Sequence, residues 1–157
     1  MLCSDARSRR RGAATTLAAL AVATAVGMLA TAAESTRHVR NRFFVRTDAQ
    51  SAHVETPPHD GKGQSTAYRY FDDVKDARVI FRKRALHKGA SIGMHVLAHD
   101  EVYYVVSGRG EVTVDDTTRE VGPDTAMFMH EGADVGIRQL GEADLVVIVS
   151  YPPAATH

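Results

Sequence analysis

The sequence predicts an all-β fold: a single antiparallel β-barrel or jelly roll preceded by an extended N-terminal arm. Three observations predict it. Short runs rich in β-branched residues recur from residue 67 onward, turn-forming residues separate them at even spacing, and no long helical period interrupts them. Closing such strands into a barrel removes the unpaired edges they would otherwise present.

The chain of 157 residues has room for one domain and a removable or separate end. Residues 1–32 are expected to be an export signal. Arg7, Arg9, Arg10 and Arg11 form a basic cluster, a charge-free alanine-rich stretch follows, and Ala30, Thr31 and Ala32 supply a small-residue cleavage pattern. The mature protein would then be periplasmic or extracellular. Left uncleaved, the same stretch is long enough to serve as a membrane anchor. The basic cluster does not separate Sec from Tat export.

Residues 33–66 are expected to form a polar arm. Its one apolar run is Phe43, Phe44 and Val45, and its Pro57-to-Gly63 stretch is too rich in proline and glycine for a long helix or an uninterrupted strand. Residues 67–153 then carry the barrel. Strands are expected at residues 79–86, 91–97, 102–107, 111–114, 118–121, 126–129, 135–139 and 145–151. Turns fall at His99-Asp100, at Ser107 to Gly110 and at Asp115-Asp116, and Pro152-Pro153 ends the series.

Charge excludes one class of function. The first 32 residues hold four arginines and one aspartate, which leaves 15 basic and 18 acidic residues and a net charge of −3 afterwards. A nucleic-acid binder ordinarily shows a basic stripe instead, so no nucleic-acid partner is expected. Cys3 is the only cysteine and would leave with the signal, so any metal would have to be held by imidazole, carboxylate or water. Neither a phosphate loop nor a nucleophile elbow is present.

From Gly89 the spacing becomes specific. A glycine stands six residues before His95, and Glu101 is followed by six residues and then Gly108. Gly122-Pro123 and the stretch from Glu131-Gly132 to Gln139 follow at a matching distance. Together these segments resemble the two motifs of the cupin superfamily, and the likeness spans nearly all of residues 68–152. The resemblance implies a cupin-type barrel, and in that family two histidines and a glutamate of the first motif join one histidine of the second to hold a divalent metal. Here His95 and Glu101 match, but the second histidine position is Leu97, the motif-two histidine position is Val135, and the later asparagine position is Gln139.

Alternation along a strand puts residues 95 and 97 on the same side, toward the lumen. Leucine and valine donate no electron pair, and a catalytic metal ordinarily needs about three protein ligands. His95 and Glu101 supply two. His99, on the turn before Glu101, either swings inward to complete a two-histidine, one-carboxylate set suited to iron, manganese, nickel or zinc, or remains a solvated loop histidine. His130, in the motif-two turn, poses the same choice. Arg82 and Arg84 share a strand face; inside the lumen they would grip a small carboxylate, and outside it they would form a solvated sheet face. Tyr103 shares parity with Glu101 and is expected to face inward, with Tyr104 outward. Met127 and Met129 read as core, while His53 and His59 show no site-like spacing.

The leading expectation is an exported small-molecule-binding protein with a weak or absent metal site. Its ligand-binding candidates are Arg82, Arg84, Tyr103 and Gln139, and its metal candidates are His95, His99 and Glu101. The alternative is a metal-dependent enzyme of dioxygenase, decarboxylase or isomerase type. The expected partners are a small organic molecule, such as a carboxylate, and a second copy of the chain in a homodimer.

Overall fold

Ten short strands account for most of the fold; the spacing of turn residues predicts the eight that begin at residue 80 and not the first two. The computed structural model describes residues 42–153. The expected export signal and anchor, along with His38 and His157, lie outside the described residues. One compact unit begins at Phe43. No helix among the described residues is long and apolar enough to cross a membrane.

A single helical turn, α1 (Asp48–Ser51), comes first. The strands follow in order: β1 (Ala52–Glu55), β2 (Ser65–Arg69), β3 (Ile80–Leu86), β4 (Ser91–Val96), β5 (Glu101–Ser107), β6 (Arg109–Val114), β7 (Thr117–Val121), β8 (Ala126–Met129), β9 (Asp134–Leu140) and β10 (Leu145–Tyr151). All pairings are antiparallel. A six-stranded sheet runs β1-β2-β3-β10-β5-β8, and a four-stranded sheet runs β4-β9-β6-β7. Non-sequential neighbours in both sheets give the jelly-roll connectivity.

The sheet extends into the segment read from sequence as an arm. β1 pairs with β2 from Ala52 opposite Tyr68 to Glu55 opposite Ser65, and β2 pairs in turn with β3. Residues 56–64 remain a loop, as their prolines and glycines require. That loop docks on β4 through a bridge between Lys62 and Ser91. The contact depends on Gly93, because a Cβ there would lie 1.8 Å from the carbonyl oxygen of His59.

The turn between β5 and β6 makes a similar demand. Gly108 has φ of +78°, and a Cβ on it would sit 2.1 Å from the carbonyl oxygen of Asp144. Only glycine meets both conditions.

The inward rows change character along the barrel, and this gradient positions the site. On β10, Leu145 and Val147 are fully buried, whereas Tyr151 lines a cavity. On β3, Leu86 is fully buried, whereas Arg84 and Arg82 line the same cavity. The cross-strand partners are Leu86 with Leu145, Arg84 with Val147 and Arg82 with Val149. One end of the barrel is therefore packed with Leu86, Val105, Val112, Ile137, Leu145 and Val147. The other end is open and polar.

Candidate functional site

The polar end holds a cavity of about 220 Å³ between the inward rows of both sheets. β4 reaches it through an irregularity. The register against β9 shifts between Ile92 and His95, so these two residues line the cavity despite standing three apart. A bulge of this kind re-aims a side chain without ending the strand.

His95 is oriented from two sides. Its Nδ1 lies 3.0 Å from the carbonyl oxygen of Gly93. A carbonyl only accepts, so Nδ1 carries a proton and Nε2 is the nitrogen turned to the cavity. The ring of His59 stacks on it at 3.6 Å between centroids and 3° between planes. Burial, and then the neighbouring charge of His95, push the His59 imidazole below its usual range.

Glu101 opens β5 and is 7% exposed. Burial raises its carboxyl above the ordinary carboxylate range, against the opposing pull of His99, of a hydrogen bond with Tyr103, and of His95. Tyr103 is buried beside it, and burial together with the Glu101 contact drives its phenol upward. Tyr104 faces outward with its hydroxyl on Asp124 at 2.8 Å, as strand parity predicts.

His99 turns inward and is not a solvated loop residue. Its ring stacks on Tyr151 at 4.5 Å and 12°. Its Nδ1 lies 3.4 Å from Glu101 Oε1, yet this buried nitrogen makes no hydrogen bond. His130 points outward with its side chain 82% exposed, near Asp100.

The opposite wall is basic, and its guanidiniums are paired. Arg84 donates to Ser65 Oγ at 2.7 Å and to Glu55 Oε1 at 2.9 Å. Arg69 donates to the other Glu55 oxygen at 2.5 Å. Arg82 holds Asp72 through Nε and Nη2 at 3.2 and 2.8 Å and donates from Nη1 to the Tyr151 hydroxyl at 3.0 Å. Lys83 leaves the opposite sheet face, over the Tyr68 ring and against Asp48. Arg82, Arg84, Tyr103, His95 and Glu101 thus gather around one cavity, and His99 joins His95 and Glu101 in the adjoining recess.

Gln139 lies apart from this group. Its amide accepts from the backbone N–H of Gly89 at 2.8 Å and donates to the carbonyls of Gly141 and Ala143 at 3.0 and 2.7 Å. Those bonds use its side chain to staple two loops, which accounts for its burial.

The donor set does not fit the metal that the family motifs hold. Leu97 and Val135 occupy the two missing imidazole positions, and both are packed with Tyr103 and Met129 into a continuous apolar cluster. Val135 sits directly opposite His95 across the β4–β9 pair. Among the described residues, no three His, Cys, Asp or Glu side chains converge as a metal-binding group. His95, His99 and Glu101 border one recess beside an apolar plug without converging on a common point.

The jelly roll and its site define a cupin. A cupin-domain family model matches residues 83–151, and the chain belongs to the cupin superfamily. It is 33% identical over 84 residues to an uncharacterised protein of Streptomyces coelicolor, a match covering 54% of this chain and 80% of that one. A crystal structure of a predicted oxalate decarboxylase from Thermotoga maritima matches with a TM-score of 0.62 and 19% identity, covering 69% of this chain and 97% of that one. The polyketide cyclase RemF from Streptomyces resistomycificus matches at 0.59 and 22% identity, over 70% and 80% of the two chains. At these identities the two solved structures share the fold with this chain, and the fold alone.

Three cavity residues carry no local signal in the sequence, Glu55, His59 and Arg69, whereas a fourth, Tyr151, does. His59 reaches His95 from a loop 36 residues upstream, held there by the close approach at Gly93. Strand parity places Tyr151 inward with Val147 and Val149.

Proposed function

We propose that this cupin binds a small organic acid in its barrel, with no divalent metal at the His95–Glu101 position. Charge in the cavity carries the reading. On the basic wall three guanidiniums, from Arg69, Arg82 and Arg84, face two paired carboxylates, Glu55 and Asp72. One positive charge is left to attract an anion. Across the cavity Glu101, whose carboxyl burial raises above the ordinary range, the Tyr103 hydroxyl and the His95 imidazole offer donors and acceptors to the rest of the ligand.

Titration calorimetry with small organic acids tests the reading. Acids are expected to bind better than their amides, and Arg82→Met is expected to weaken them about tenfold, the worth of one charged hydrogen bond. Equal affinity for acids and amides would overturn it.

The rival reading is a metal-dependent dioxygenase, decarboxylase or isomerase. One observation favours it, the unpartnered Nδ1 of His99 beside Glu101. The apolar packing of Leu97 and Val135 weighs against it.

The proposal extends to export with removal of residues 1–32, which sequencing of the mature N-terminus tests. It extends also to a homodimer formed through the outer face of the six-stranded sheet, where Val102, Tyr104, Val106 and Phe128 are exposed.

A further inference from the structure

Glu55 is the last residue of β1, and its two carboxylate oxygens are taken by two different arginines. Arg84 holds one at 2.9 Å and Arg69 the other at 2.5 Å, and Ser65 Oγ receives the second Arg84 donor at 2.7 Å. All three charged groups line the cavity. The Ser65 hydroxyl donates to the Glu55 carbonyl at 3.2 Å and so orients Arg84, and two guanidiniums converging on one carboxylate is the arrangement that recognises a free carboxylate ligand.

The strand does not need this carboxylate in order to stay in place. β1 is anchored by backbone pairing along its length, from Ala52 to Glu55. The Glu55 side chain is 26% exposed, so it has solvent into which to rotate while its backbone remains paired.

We propose that Arg69 and Arg84, the latter held in place by Ser65, form a carboxylate-binding subsite that Glu55 fills as a built-in competitor. An incoming carboxylate takes the place of the Glu55 side chain, which turns outward. This deepens the small-acid reading and rests on it for the kind of ligand. The exchange swaps one carboxylate for another on the same donors, so the intrinsic interaction is nearly conserved. What opposes it is the tether, which gives Glu55 an effective concentration on the order of millimolar or above. Apparent affinity falls by the fraction of molecules in which the subsite is open. If Glu55 fills it in more than about nine molecules of ten, removing that competitor strengthens binding about tenfold or more.

The experiment is calorimetric titration of sodium acetate into the wild-type protein and into Glu55→Gln, with acetamide as the neutral control. The expected result is acetate binding at least tenfold tighter in Glu55→Gln, no gain for acetamide, and loss of the gain when Arg84→Met is added. A Glu55 that serves only as a latch predicts lower stability with no gain in acetate affinity, and that result overturns the proposal. Should Glu55→Gln fail to fold, Glu55→Asp keeps the charge and shortens the reach by one methylene. It is expected to bind acetate more tightly than wild type by a smaller factor, and no gain there overturns the proposal equally. Wild-type protein that binds acids unaffected by Glu55→Gln sinks this subsite alone. Wild-type protein that prefers no acid over its amide, beside a Glu55→Gln variant that binds acetate tightly, sinks the functional reading alone.

Discussion

Leu97 and Val135 stand where the cupin motifs carry imidazoles, and each is at least 98% buried. Their side chains hold Tyr103 and Met129 in place, which in turn sets Glu101 against the Tyr103 hydroxyl. Leu97→Ala is therefore predicted to cost about 2–5 kcal/mol in denaturant unfolding, the range for a buried leucine whose site collapses incompletely. Glu101 gives a second prediction, with a definite sign. Its folded pKa is raised by burial above the ordinary value of 4.5, so the native state binds more protons than the unfolded chain as pH rises past that value. Stability from this group is full below about pH 4.5 and declines as pH climbs toward the folded pKa. Glu101→Gln is predicted to flatten that slope, matching wild type near pH 4 and unfolding at a higher temperature near pH 7, as thermal melts at both values would show. At this scale the spacing in the sequence exposed Leu97 and Val135, and strand parity separated Tyr103 from Tyr104. It was silent on His59 and Glu55, because their partners are fixed by long-range docking and not by any local period.

Elements were legible where hydrophobic alternation was strong. The strands from residue 80 onward fall within one or two residues of the sequence reading, because inward rows such as Leu145, Val147 and Val149 alternate with less buried positions. β1 was not legible. Its four residues, Ala52 to Glu55, are mostly exposed, so neither face shows a pattern and only pairing with β2 makes them a strand. The loop that follows depends on Gly93 for its seat. Gly93→Ala would place a methyl group 1.8 Å from the His59 carbonyl oxygen, against backbone that cannot yield cheaply. The variant is predicted to lose about 1–3 kcal/mol and to break the His59–His95 stack. Denaturant unfolding would report the first effect, and imidazole proton shifts the second. An unchanged stack would show that the loop is placed by other contacts.

At the scale of the whole molecule, the two faces of the six-stranded sheet answer different demands. Inward, it turns from aliphatic to basic along its length, which gives a packed end and an open, polar end. Outward, β5 and β8 present Val102 opposite Phe128, with Tyr104 and Val106 beside them, all at least 38% exposed. Exposed apolar side chains grouped in this way are the ground for the proposed dimer surface. Light scattering of the mature protein is predicted to give twice the chain mass, and Val102→Glu with Phe128→Glu is predicted to give the monomer. A wild-type monomer at tens of micromolar, an order of concentration ample for specific dimers, would contradict the proposed pairing.

The central claim is that an apolar plug replaced part of a metal site and left a cavity for an organic acid. Elemental analysis of protein purified without chelator measures it directly. The account predicts well under one equivalent of iron, manganese, nickel or zinc per chain. One full equivalent, lost when His95 or Glu101 is substituted, would contradict it.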